Sequence, residues 1–396
     1  MIKTQSTADV SKHRTFRSVM FRAVTDSWKR YWWGTGILPD RTNRTEDIYL
    51  RFYNGNTIED YVDIPLNQAE QLIDVKGFDK DRPVVFYIHG FIEIAQQESI
   101  QVVVSSYLEA RPDTNVVLID WSNMAHGSYL MNAARNTKKV GIAAAEHINR
   151  LVEASLDLDK IHIIGHSLGS HVAGYTAREL RNKYNKTVKR LTALDPAFPA
   201  FYPDGVVMEH INAKDAEFVD VIHTDAGVYG APVRTGSADF WPNGGKSVQP
   251  GCPRFAPVPL SDDNLCSHWR SWRFYAESVK TPEAFAASPA ESYRKFRENA
   301  NPETGMVYMG YGCDSNAKGS YYLTTNSATP FGKDEQDEEA SSQPPLQPVT
   351  PSPDEQYIRA TDFDIMHQTT LRHKIWQNHQ TQCAYHLNDR CYKIVI

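Results

Sequence analysis

Ser167 lies between two glycines in the run Gly165-His166-Ser167-Leu168-Gly169, and its hydroxyl is the leading candidate nucleophile of the chain. A serine alcohol attacks a carbonyl carbon effectively only when a histidine accepts its proton and a carboxylate orients that histidine. The same chemistry needs two donors, usually backbone N–H groups, for the oxyanion of the tetrahedral intermediate. Before the glycines, KIHII is a short apolar run of strand type; after them, SHVAGYTAREL spaces Val172, Ala173, Ala177 and Leu180 along one helix face. Strand, tight turn and helix in that order make a nucleophile elbow. The glycines let the backbone turn sharply and lift the serine out of the sheet. The competing reading is a serine that only caps a helix.

In elbow enzymes the order along the chain is Ser, then Asp or Glu, then His, each partner on a loop after a later strand. Asp195 follows the next strand-like run, VKRLTAL, in the sequence DPAFP, where Pro196 and Pro199 stop further pairing and hold the carboxylate at a strand end. Asp220 and Asp225, around VDVIHTD, are the alternatives. Among the 14 histidines, those ahead of Asp195 fail the order, and His166 is too close to Ser167 to reach back to its hydroxyl. His210, His223, His268 and four tail histidines remain. His268 is preferred, because CSHWRSWRFYAES sets it between a cysteine and an aromatic run of helical character; an ordinary helix residue is its rival reading. One oxyanion donor is the N–H of Leu168, the residue after the serine. The second is the N–H of Phe91, because the apolar strand PVVFYI ends in His89, Gly90 and Phe91, with the Phe91 ring as a pocket wall.

These residues need a frame. Strands at PVVFYI, NVVLID, KIHIIG, VKRLTAL and VDVIHT alternate with helical stretches such as residues 138–152, where Val140, Ala144, Ile148, Leu151 and Val152 share a face. That alternation predicts an α/β fold with a mostly parallel sheet, helices on both faces, and the site at the carboxyl ends of the strands. Serine, histidine and backbone donors suffice for acyl transfer, so no metal or organic cofactor is expected.

The segments YIHGFIE, VVLIDWSN, IIGHSLGSHVAGY, ALDPAFP, VIHTDAG, ADFWPNGGKSVQPGC and CSHWRS give the chain a close resemblance to the pancreatic lipase family over residues 45–331. That family includes triacylglycerol lipases, phospholipases that cut the sn-1 ester, and insect yolk proteins without activity. The resemblance implies an α/β-hydrolase fold, a triad of Ser167, Asp195 and His268, and an oxyanion hole at Phe91 and Leu168. It also implies a lid, PRFAPVPLSDDNL, closed by a disulfide between Cys252 and Cys266 beside His268. Three prolines and two adjacent aspartates leave this lid little helix, and the loop AGVYGAPVRTGSADF is also short; both resemble the phospholipase branch, including wasp venom enzymes. The implied activity is cleavage of the sn-1 ester of glycerophospholipids at a membrane or micelle surface. Its alternatives are triacylglycerol hydrolysis and a silent, yolk-like lipid-binding or storage protein. The chain departs from its relatives in having no cysteine in FAASPAESYRKFRENANPETG, where they often carry a disulfide.

With 396 residues, 41% of them hydrophobic, and a net charge of −6, the chain suits one large domain with extensions and offers no basic field for nucleic acid. No apolar run reaches the length of about 18 residues needed to span a membrane, so contact with lipid is peripheral. Residues 1–44 read as a basic extension without a signal-peptide core, and residues 45–332 as the catalytic domain. Residues 333–356 are acidic then proline-rich and read as a disordered linker, followed by a tail over 357–396. The tail's His367, His373, His379, His386, Cys383 and Cys391 match no zinc spacing. Pairing Cys383 with Cys391, alongside Cys252 with Cys266, leaves Cys313 alone. Glycosylation sequons at Asn43 and Asn185, with the expected disulfides, favour a secreted protein over an intracellular one.

Overall fold

The computed structural model describes residues 44–202, 208–298 and 305–333 and two short strands near the carboxyl end. Strands β1 (Tyr49–Tyr53) and β2 (Tyr61–Pro65) form an antiparallel hairpin. The apolar runs that follow become β3 (Val84–Ile88), β4 (Asn115–Asp120), β5 (Ile161–His166), β6 (Arg190–Leu194) and β7 (Phe218–Ile222). With β8 (Ala238–Pro242) and β11 (Gly319–Leu323) they make a parallel block. β9 (Ala286–Pro289) and β10 (Val307–Tyr308) add an antiparallel edge, giving the order β10-β9-β11-β8-β7-β6-β5-β3-β4-β1-β2.

Every residue of β3 is buried because helices cover both faces of the sheet. Val84, Phe86 and Ile88 belong to a core shared with Val140 and Ile148 of α2 (Ala134–Glu153) and Val172 of α3 (Leu168–Tyr184). Val85 and Tyr87, which alternate with them, belong to a second core with Val103 and Tyr107 of α1 (Glu98–Ala110) and Phe274 of α4 (Asp262–Lys280). This is the α/β-hydrolase fold.

Several elements were not expected from sequence. The β1–β2 hairpin, β8 and the β9–β11 edge carry prolines or polar residues, so their apolar alternation is weak. The cysteine-free segment is anchored by Phe285 and Ala287 in the core and by pairing of β9 with β11, followed by the short helix α5 (Tyr293–Glu298). Cys252 and Cys266 are joined, and Cys313 is free and buried. The chain divides into residues 1–335 and 336–396. Of the latter, β12 (His386–Leu387) pairs antiparallel with β13 (Arg390–Cys391). The extension before residue 44, the linker from 334 onward, Cys383 and the tail histidines at 367, 373 and 379 lie outside the described residues.

Sheet and helix approach closely under the elbow. A Cβ added to Gly169 would stand 2.1 Å from the carbonyl oxygen of Ile88 and 2.6 Å from that of His89. Gly169→Ala is therefore expected to cost about 3 kcal/mol or more of stability. A urea melt measures this, and a wild-type midpoint would contradict the packing.

Candidate active site

β5 ends at His166 and α3 begins at Leu168, so Ser167 makes the turn alone. Its φ of 54° and ψ of −118° lie where side-chain-bearing residues are strained. The turn is stitched to the end of β6: Ser167 N donates to the Leu194 carbonyl at 3.0 Å, and Ala197 N donates to the Ser167 carbonyl at 3.2 Å. Leu168 is the first helical residue, so its N–H has no acceptor within α3. Ser167 opens on a cavity of about 150 Å3 whose walls include Phe91, Tyr129, Leu265, His268 and Trp269. No hydrogen bond joins its hydroxyl to His268 among the described residues; the two meet as walls of this cavity. In serine hydrolases such contacts often tighten when substrate is bound. A larger recess of about 760 Å3, between Phe78, Arg82 and Asn115, holds none of these groups.

The structure brings Asp195 and His268 together. Asp195 is fully buried just after β6, with a positive φ of 45°. One carboxylate oxygen, Oδ2, lies 2.6 Å from His268 Nδ1; the other accepts the backbone N–H of Thr224 at 2.8 Å and of Asp225 at 3.2 Å. Gly230 covers the carboxylate so closely that a Cβ there would fall 2.2 Å from Oδ1. His268 sits within α4 rather than on a loop. The helix starts earlier because Ser261 Oγ caps it, accepting from Asn264 N at 3.3 Å, and Asp262 and Asp263 occupy its first turn.

The alternatives are otherwise engaged. Asp220 is gripped by Arg190 Nε and Nη2 at 2.9 and 3.1 Å and accepts Thr192 Oγ1 at 2.8 Å. His223 pairs through Nε2 with Asp239 at 2.8 Å and stacks on Trp241. His210 stacks on Tyr202. Asp225 does border the site: its ligand atoms, those of Asp195 and those of His268 come within 4.8 Å of one another. In this group Asp195 already takes the His268 nitrogen on one oxygen and two N–H groups on the other. Burial and the Asp195 charge push the Asp225 carboxyl up to about 7, against the opposing pull of His268 and of the Ser247 hydroxyl bonded to it.

The loop after β3 carries Phe91, whose ring meets Tyr129 edge-on with centroids 5.2 Å apart. Its neighbour Ile92 also has a positive φ, 53°. Sequence reasoning missed Glu93 in this loop, a buried acid two residues beyond Phe91 whose signal was an acidic residue inside an otherwise apolar turn. The implied lid, residues 253–265, has no helix before Asp262, and Phe255 within it is 79% exposed.

A parallel sheet, a strained serine elbow and a buried acid–histidine pair at the carboxyl strand ends define the chain as an α/β hydrolase by fold. The sequence matches the family described as Lipase over residues 35–331. It is 32% identical over 335 residues to inactive pancreatic lipase-related protein 1 of Homo sapiens, spanning 76% of this chain and 69% of that protein. Identity to pancreatic triacylglycerol lipase of Sus scrofa is 31% over 324 residues, spanning 75% and 69%. Identity to pancreatic lipase-related protein 2 of Mus musculus is 34% over 293 residues, spanning 68% of this chain and 58% of that protein. The chain belongs to the pancreatic lipase family, which supports ester hydrolysis as the class of reaction. No helix among the described residues is long and apolar enough to cross a membrane.

The raised Asp225 carboxyl gives a pH prediction. A carboxyl that holds its proton more tightly folded than unfolded contributes stability that is present at low pH and lost as pH rises from about 4 through about 7. Asp225→Asn removes that loss. Relative to wild type, the variant should gain about 1 kcal/mol or more between about pH 5 and about pH 8. Urea melts at the two pH values measure it, and a difference independent of pH would contradict the assignment.

Proposed function

We propose that this chain hydrolyses carboxylic esters of lipids, with Ser167 as nucleophile, His268 as general base and then acid, and Asp195 orienting the imidazole. The observation that carries this reading is the buried 2.6 Å contact of His268 Nδ1 with Asp195 Oδ2, on the wall of the cavity that Ser167 also lines. With the Nδ1 proton held by Asp195, Nε2 is free to take the Ser167 proton as Oγ attacks the ester carbon. The N–H groups of Phe91 and Leu168 stabilise the oxyanion. The alcohol leaves with the proton from His268, and water repeats the sequence on the acyl-enzyme.

A lipid substrate is supported by exposed apolar side chains on loops that edge the cavity, including Ile92 and Ile94 before α1 and Phe255 and Val258 in the lid. Apolar exposure on these loops suits contact with a membrane or micelle surface. Within lipids, we favour the sn-1 ester of glycerophospholipids. The lid spans only thirteen residues between its cysteines and begins no helix until Asp262, which leaves less apolar wall and more room for a polar headgroup. Triacylglycerol hydrolysis is the second reading, favoured by the name of the Sus scrofa relative; the Homo sapiens relative named inactive favours a silent protein. The Cys252–Cys266 disulfide and the exposed sequon residue Asn185 support secretion. Residues 45–332 would carry the activity, with 333–356 as linker and 357–396 as tail.

Purified protein assayed on phosphatidylcholine, trioctanoin and a short-chain ester should release the sn-1 fatty acid of phosphatidylcholine, with little added activity at an oil interface. Strong hydrolysis of long-chain triglyceride with none of phospholipid would reverse the substrate choice. Ser167→Ala and His268→Ala should each lower kcat by roughly 10³ to 10⁶, and the double variant should be scarcely slower than either. Near-additive losses would show that the two do not act as a unit. Asp195→Asn should cost roughly 10⁴. If instead Asp225→Asn is the inactive variant, the acid lies there.

A further inference from the structure

Two separate chain segments supply the oxyanion donors named above, and they touch. A Cβ on Gly90 would stand 3.0 Å both from Ser167 Cβ and from Glu93 Oε2. Glu93 itself is buried. Its Oε2 accepts the Gly90 N–H and lies 3.1 Å from His166 Nδ1, while its Oε1 accepts Ser99 Oγ at 2.5 Å. Gly90 directly precedes Phe91, and His166 directly precedes Ser167. A single carboxylate therefore bridges the two halves of the hole across 73 residues of chain.

We propose that Glu93 is a positioning residue for the oxyanion hole, clamping the Phe91 loop to the nucleophile elbow through Gly90 and His166. This rests on the ester-hydrolase reading of the same site. Other bonds hold the rest of the loop: Trp121 Nε1 donates to the His89 carbonyl at 2.9 Å, and Ile92 N donates to that of Ala125 at 3.0 Å. Those bonds tie the loop to the segment after β4. The Glu93 bonds tie it to the elbow. Oxyanion donors act only within about 0.2 Å of 2.9 Å from the developing charge, so slack between the two segments falls on the transition state more than on the bound substrate. Burial pushes the Glu93 carboxyl up, but the charge and hydrogen bond of His166, with His89 and Ser99, outweigh it and bring it down to about 2. The clamp is therefore ionised across the working pH range. The His166 ring also packs against that of His268, with centroids 4.9 Å apart, so the clamp borders the base as well.

The test compares wild type, Glu93→Gln and Ser99→Ala on p-nitrophenyl butyrate, with an alkylboronic acid as the probe of the oxyanion hole. Glu93→Gln should lower kcat by roughly 10- to 100-fold with KM changed less than about threefold, and weaken the boronic acid in proportion. Ser99→Ala, which removes one bond to the same carboxylate, should show the same pattern at roughly threefold to tenfold. It carries the test alone if Glu93→Gln does not fold. A folded variant with unchanged kcat and boronic acid affinity overturns the clamp, and so does a kcat loss without weaker boronic acid binding. A wild type that neither hydrolyses the ester nor binds the boronic acid overturns the ester-hydrolase reading instead.

Discussion

The contact between His268 Nδ1 and Asp195 Oδ2 is made where both residues are almost wholly shut away from water. A carboxylate in that position costs several kcal/mol unless its oxygens are satisfied. The fold satisfies them in register. Asp195 N donates to the Ile222 carbonyl, which holds the end of β6 against the end of β7 and turns the Thr224 and Asp225 N–H groups onto Oδ1. Gly230 closes over the carboxylate because no larger residue would fit. On the other side, the Ser261 cap and the Cys252–Cys266 disulfide fix the start of α4, and with it the position of His268.

Strain is concentrated around that pair. Ser167, Asp195 and Ile92 all have positive φ, and all three stand at carboxyl ends of parallel strands. Each such conformation costs of order 1–3 kcal/mol and persists only where its surroundings over-determine it. Here the surroundings are the central strands β3, β5 and β6, where β5 is hydrogen-bonded to both neighbours and helices cover both faces. Asp225 adds a second kind of tension: a carboxyl kept protonated toward neutral pH by burial and by the Asp195 charge beside it.

Much of this was legible in the sequence because it depends on local signals. The elbow announces itself by two glycines between a β-branched run and a helical period, and Asp195 by the prolines that stop its strand. The central strands are continuous apolar runs, which a sheet buried on both faces requires. What was not legible depends on contacts between distant segments. Asp220 and Asp225 look alike as letters, and only the register of β6 on β7 shows one gripped by Arg190 and the other facing Asp195. His166 could be excluded as the base by its position next to Ser167, but its pairing with Glu93 spans 73 residues and has no periodic signature. Strands β2, β8 and β9, which end at Pro65, Pro242 and Pro289, gave too little alternation to read.

Everything proposed for this site requires Ser167 to be an activated nucleophile. Native protein treated with an alkyl fluorophosphonate and examined by intact mass and peptide mapping tests it most directly. One adduct per chain is expected, on the peptide bearing Ser167, and it should be lost in His268→Ala although that variant stays folded. A folded wild-type protein that takes up no label, or takes it up on another serine, would contradict it.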